Sequence, residues 1–242
     1  MTSNIPEIYL LCMDINFITA FNSALETIWP NHSPAKIKIT PINERLNNIP
    51  PFTKYDVIVS PANSYGRLDG AFDHAISMTF SPHDDYHALT RATQLVLYDK
   101  WRGYAPPGSC TLVEFPEALK QNSRGCEWVA ICPTMREPQN VNWDREIVFE
   151  CVWSLLNQVE GHNRRLTSGS KNASEGKRIE SLLLPPLAVG VGKVSKKRWA
   201  QQAVLAMMHF VEAVEKPENW SCLNWDKIEV IGDEINDTWK EK

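Results

Sequence analysis

Two rhythms of apolar residues alternate along this chain. Short continuous runs are separated by longer stretches in which apolar positions recur every third or fourth residue. Ile8 to Asp14 is an apolar run that ends in an acid and reads as a strand. Phe17, Ala20, Phe21, Ala24, Leu25 and Ile28 then share one face of a helix. Lys36 to Ile42 alternates as a half-buried strand, and Pro50-Pro51 breaks the chain before the buried strand Val57-Ile58-Val59. A helix is predicted from about Phe72, and another through Leu89, Ala92 and Val96 to Trp101. Pro106-Pro107-Gly108 marks a turn into a strand from Cys110 to Phe115, and Trp128 to Cys132 is a further buried strand. Val148, Cys151, Val152, Leu155, Leu156 and Val159 line a strongly periodic helix. Strand Ser181 to Leu184 precedes a helix from Ser195 to about Glu215, and Ile228 to Ile231 reads as a last strand. Strands alternating with helices predict an α/β sandwich. Residues 161–177 carry almost no apolar side chains and read as a disordered surface insertion within one domain spanning 1–242.

Composition narrows the classes. With 43% hydrophobic residues, 242 residues can bury a substantial core. A net charge of −4 and a pI near 5.9 argue against a general nucleic-acid surface, so an anionic ligand would be held by local backbone amides. Six scattered cysteines show no zinc spacing, and Cys12 and Cys132 fall inside strand-like runs as reduced core residues. No signal-peptide pattern and no membrane-length apolar run is present, so an intracellular, cytoplasmic or nuclear protein is expected.

The chemistry concentrates where Val57-Ile58-Val59 runs through Asn63, Asp69 and Gly70 into a helix carrying Asp73. A helix N-terminus presents unpaired amides and partial positive charge, and glycine permits close approach of a ligand. Asn63 is able to donate and accept at once, which suits a ribose hydroxyl. The alternative is an ordinary strand–turn–helix connection with turn residues where turns need them. A second loop, Leu184 to Ser195, contains Ala188, Val189, Gly190, Val191 and Gly192 between a strand and a helix that Ser195 is placed to cap. Its glycines permit a nest of amides around phosphate, although an ordinary turn has the same composition. Arg136 follows the strand at Ala130 and is either a phosphate or Asp69 partner or a surface arginine. His74, beside Asp73, is either a general acid or a solvent-facing residue of the first helical turn. His83 and His87 would share a helix face, but no third ligand accompanies them, so no metal and no cofactor is expected. Nucleophile-elbow, P-loop and dinucleotide patterns are absent.

The segment from Asn63 to Ala75-Ile76 resembles the signature of the macrodomain family, the ADP-ribose-binding modules: Val-Asn-Ala-Ala-Asn, a short linker, Gly-Gly-Gly-Val-Asp, then Ala-Ile. Ser60-Pro61-Ala62-Asn63 and Asp69-Gly70-Ala71 depart from that pattern. They look like a divergent branch whose fungal members are described as probable ADP-ribose 1''-phosphate phosphatases. Ala130 to Pro138 is similar to the same branch, and Leu184 to Ser195 is similar to the family's phosphate loop without its two hydroxyl side chains.

The resemblance implies a three-layer α/β/α sandwich with a mixed central sheet. It also implies that Asn63 holds the distal ribose and that Gly70, Ala71, Phe72 and Ala188 to Gly192 bind diphosphate. Asp69 or Asp73 would orient or deprotonate water. No aspartate aligns with the family's adenine contact; Asn43 and Asp14 are the candidates. The expected activity is hydrolysis of an ADP-ribose derivative, foremost the 1''-phosphate. The alternatives are a non-catalytic reader, a hydrolase acting on ADP-ribosylated proteins, and a nucleotide-binding scaffold outside the family.

Overall fold

The computed structural model describes residues 4–167 and 176–240. Six strands form one sheet: β1 (Glu7–Leu11), β2 (Ile39–Ile42), β3 (Val57–Ser60), β4 (Thr111–Glu114), β5 (Trp128–Ile131) and β6 (Ser181–Leu184), in the order β2-β1-β6-β3-β5-β4. All neighbours are parallel except β4, which runs antiparallel to β5 at one edge. The sheet is therefore mixed, and helices cover both faces.

Alternation along each strand divides the core in two. Val57 and Val59, with Leu182 and Leu184, face α1 (Ile15–Ile28), α5 (Ile147–Thr167) and α6 (Lys196–Glu215). Ile58 and Leu183, with Val129 and Ile131, face α2 (Ala71–Phe80) and α3 (Ala88–Trp101). Strands buried on both faces lose the polar half of their alternation, which is why they read as continuous apolar runs. The result is a three-layer α/β/α sandwich.

The topology positions the site. From β1 the chain crosses through α1 to β2 on one side, whereas β3 and β5 lie on the other side, beyond β6. Parallel strands end at the same edge of the sheet, so the loops leaving β1, β3, β5 and β6 gather where the winding direction changes. That is the usual ligand crevice of an open α/β sheet.

Three sequence expectations change. The strand predicted at Ile228 to Ile231 lies within helix α8 (Trp225–Trp239). Ile228-Glu229-Val230-Ile231, with three apolar residues in four, does not by itself separate strand from helix. Here Trp225, Ile228, Ile231 and Ile235 repeat at helical spacing, and Asn224 caps the helix by accepting from the Lys227 amide at 3.1 Å. The proposed insertion is shorter than predicted, because α5 continues to Thr167. The buried Asn163 anchors that end by donating to Ile179 O at 2.8 Å and accepting from Ile179 N at 2.9 Å. Residues 168–175 of the insertion lie outside the described residues. His83 and His87 do not share a helix face: both precede α3, with His87 at its N-cap position. Among the described residues, no helix is long and apolar enough to cross a membrane.

Candidate functional site

A cavity of about 360 Å³ opens at this crevice. Its walls are the end of β1 with Asp14 and Phe17, the β3 loop with Asn63 and Arg67, the start of α2, Thr134 after β5, and the loop after β6. The structure thus brings together Asp14, Asn63, Asp69, Gly70, Ala71, Phe72, Asp73 and Ala188 to Gly192 around one space.

The loop after β3 is fixed by its neighbour. Asn63 forms a parallel bridge with Met135, and Ser64 N donates to Met135 O at 3.0 Å. The Asn63 side chain closes the turn: Oδ1 accepts from Tyr65 N at 3.0 Å, and Nδ2 donates to Arg67 O at 2.9 Å. An amide has two acceptor sites and two N–H donors, so one Nδ2 hydrogen of Asn63 remains for a ligand.

Arg67 is the partner of Asp69. Its Nε donates to Asp69 Oδ2 at 2.9 Å, and Nη2 contacts the same oxygen. Of the alternatives for Arg136, pairing with Asp69 does not occur. Arg136 instead donates to Tyr65 Oη at 3.2 Å and sits over the Tyr104 ring, 5.2 Å from its centroid. It is not in the cavity wall.

Helix α2 begins at Ala71, whose φ of 48° places a non-glycine residue in the left-handed region. Asp73 occupies its first turn and is 6% exposed. The Ser60 hydroxyl donates to Asp73 Oδ1 at 2.6 Å. Burial pushes the Asp73 carboxyl up to about 7; the Ser60 hydrogen bond opposes that rise and the Asp69 charge adds to it. Asp73 thus holds or releases a proton close to neutral pH.

The loop after β6 turns tightly. Ala188 has φ 61°, Val194 N donates to Ala188 O at 3.1 Å, and Ser195 Oγ accepts from Arg198 N at 3.1 Å to cap α6. Its two glycines have different reasons. A Cβ on Gly192 would lie 2.4 Å from Ala188 O, so packing of the turn excludes a side chain there. A Cβ on Gly190 would meet nothing within 4 Å, and the same holds for Gly70. Packing does not require a glycine at Gly190 or Gly70, and both line the cavity.

Among the described residues, the backbone N–H groups of Gly70, Ala71 and Phe72 donate to no protein acceptor, and neither do those of Val189 to Gly192. Two rows of free donors therefore flank one cavity, and one of them is the N-terminus of α2. Such an arrangement attracts an anion without a charged side chain.

Of the remaining candidates, Asp14 lies in the wall and Asn43 and His74 do not. Asp14 caps α1, accepting from Asn16 N at 2.9 Å, and pairs with Lys196 Nζ at 2.7 Å. The Lys196 hydrogen bond, with the Asn16 amide second, holds its carboxyl below the usual carboxylate range. Asn43 is not in the wall; its Nδ2 donates to Cys12 O at 2.7 Å and ties the end of β2 to β1. His74 is exposed, is bonded through Nδ1 to Tyr86 Oη at 2.7 Å, and also lies outside the wall.

Sequence reasoning missed Ser60, Phe17, Arg67 and Thr134. Ser60 had a signal, being a hydroxyl at the end of an otherwise apolar strand. Thr134 lies in the cavity wall, and its Oγ1 is buried with no hydrogen-bond partner among the described residues. Arg67 had no signal, because its role depends on the turn that Asn63 closes.

No protein-family model and no curated protein matches the sequence. Among solved structures, the chain is similar to macrodomain structures from Oceanobacillus iheyensis. One, a mutant with ADPR, is 17% identical, and the match covers 68% of this chain and 76% of that chain at a TM-score of 0.47. Another, with ADP, is 17% identical over 68% and 74% at 0.47. A third, with MES bound, is 16% identical over 77% and 86% at 0.47.

Proposed function

We propose that the cavity binds ADP-ribose or a derivative and hydrolyses ADP-ribose 1''-phosphate to ADP-ribose and phosphate. The observation that carries this reading is the pair of free amide rows at Gly70 to Phe72 and Val189 to Gly192, facing one cavity with Asn63 and Asp73 in its wall. The amides take the diphosphate, and fixed donors favour negative charge without reorganisation. Asn63 offers its remaining N–H to the distal ribose. In the reaction a water oxygen bonds to phosphorus, the bond from phosphorus to the sugar oxygen breaks, that oxygen gains a proton, and the attacking water releases one to solvent, from which Asp73 is reprotonated. Asp73 supplies the proton to the sugar oxygen, since it titrates near neutrality. Asp69 orients the water, and Arg67 offsets the repulsion between Asp69 and a phosphate.

A second reading, a non-catalytic reader of ADP-ribose, is favoured by the same Arg67–Asp69 pair, which engages one oxygen, Oδ2, of the carboxylate a base would need. Removal of ADP-ribose from proteins is the third outcome of one experiment. Calorimetry with ADP-ribose establishes binding. Phosphate release from ADP-ribose 1''-phosphate, run beside an ADP-ribosylated protein, separates the three. Binding with no turnover of either substrate selects the reader, and no binding rejects all three.

A further inference from the structure

The two amide rows address the diphosphate, which ADP-ribose and its 1''-phosphate share, so they do not tell substrate from product. The two compounds differ by one phosphomonoester on the distal ribose, which adds up to about two negative charges and three acceptor oxygens. Asp14, Asp69 and Asp73 all lie in the cavity wall and oppose that charge. Among the described residues, Arg67 is the only cationic side chain of the wall.

Arg67 is held beside the group assigned to the distal ribose. The Asn63 side chain clasps its backbone: Arg67 O accepts from Nδ2 at 2.9 Å, and Arg67 N donates to Oδ1 at 3.4 Å. The next residue, Leu68, is fully buried, and its N–H donates to Thr90 Oγ1 at 3.2 Å. The backbone is thus fixed, while the Arg67 side chain is 52% exposed. Its Nε and Nη2 both bond to one oxygen of Asp69, Oδ2. A guanidinium carries five N–H groups, so three remain, both on Nη1 and one on Nη2. Neighbouring nitrogens with hydrogens to give match two oxygens of a phosphate side by side. Asp69 therefore steadies the guanidinium by one edge without saturating it.

We infer that Arg67 is the specificity-determining residue of this cavity: its remaining guanidinium edge binds a phosphomonoester on the distal ribose and selects the phosphorylated compound over ADP-ribose. The inference rests on the ADP-ribose reading and adds to it the residue that separates substrate from product.

The test is a ratio of affinities, measured by calorimetry on the full chain. The probe is the phosphonate isostere of ADP-ribose 1''-phosphate, in which a methylene replaces the bridging oxygen, so turnover does not consume it. ADP-ribose 2'-phosphate, whose third phosphate lies on the adenosine ribose, is the control. The parent should bind the phosphonate roughly tenfold or more tighter than ADP-ribose, the scale of a charge-assisted hydrogen bond. Arg67→Gln should remove that preference and leave the ratio of the control to ADP-ribose unchanged. Because Arg67→Gln also leaves Asp69 without its partner, the double variant Arg67→Gln/Asp69→Asn separates contact from neutralisation. The preference should stay lost there; its recovery would mean that Arg67 acts only on Asp69, and would overturn the inference. A single variant that keeps the preference, or that lowers both ratios equally, overturns it too. ADP-ribose binding with no gain from the phosphonate in the parent rejects this inference alone, whereas no ADP-ribose binding rejects the ADP-ribose reading and the inference with it.

Discussion

Ser60 Oγ donates to Asp73 Oδ1 at 2.6 Å, joining the last residue of β3 to the first turn of α2 beneath the cavity. This bond favours the ionised carboxyl, while burial favours the protonated one, and burial is the larger effect.

Stability should therefore depend on pH through Asp73. Its folded pKa of about 7 exceeds the ordinary value of 3.8. Below about pH 4 both folded and unfolded chains hold the proton. As pH rises toward 7 the unfolded chain releases it first, so stability falls, and above 7 the loss is complete. Asp73→Asn mimics the protonated form and removes this loss. Thermal melts should show the variant more stable than the parent at pH 8, on the order of 2–4 kcal/mol, with little difference at pH 4. Equal shifts at both pH values would contradict the role of the buried charge.

The two glycines of the loop after β6 should separate binding from folding. Gly190→Val places its side chain in open space, so melting should be unchanged while ADP-ribose affinity falls sharply. Gly192→Val drives a side chain against Ala188 O and should lower the melting temperature as well. Calorimetry and melting on both variants check this. Unchanged affinity in a folded Gly190→Val protein would move the phosphate site elsewhere.

Catalysis should depend on the acids more than binding does. Asp69→Asn and Asp73→Asn should each keep ADP-ribose affinity within roughly tenfold, about 1.4 kcal/mol. At least one should lose most turnover, since a general acid or base contributes roughly 10²–10⁴-fold. Phosphate release at the parent rate by the double variant would exclude both as catalysts.

The distal ribose should contribute to affinity. AMP lacks the groups that Asn63 and Gly70 to Asp73 would address, so it should bind more weakly than ADP-ribose. Titration of both ligands decides the point, and equal affinities would remove the role assigned to the loop after β3.

The alternation of strands and helices was legible along the chain because burial imposes its period directly on the residues. Val57-Ile58-Val59, the α1 face and the Ser195 cap are local patterns, and the structure places each where the pattern does. The amide rows at Gly70 to Phe72 and Val189 to Gly192 were legible as separate loops, since glycine next to a helix start has meaning within a few residues. Helix α8 was not legible because Ile228, Val230 and Ile231 alone fit either period, and the full repeat shows only over a longer span. The partners of the side chains were decided by the tertiary structure alone. Arg67, and not Arg136, neutralises Asp69, because the Asn63 turn folds Arg67 back while Tyr65 and Tyr104 engage Arg136. Asp73 titrates near neutrality because the packing of α2 on β3 removes it from water, and desolvation is a property of the assembled fold that no residue carries by itself.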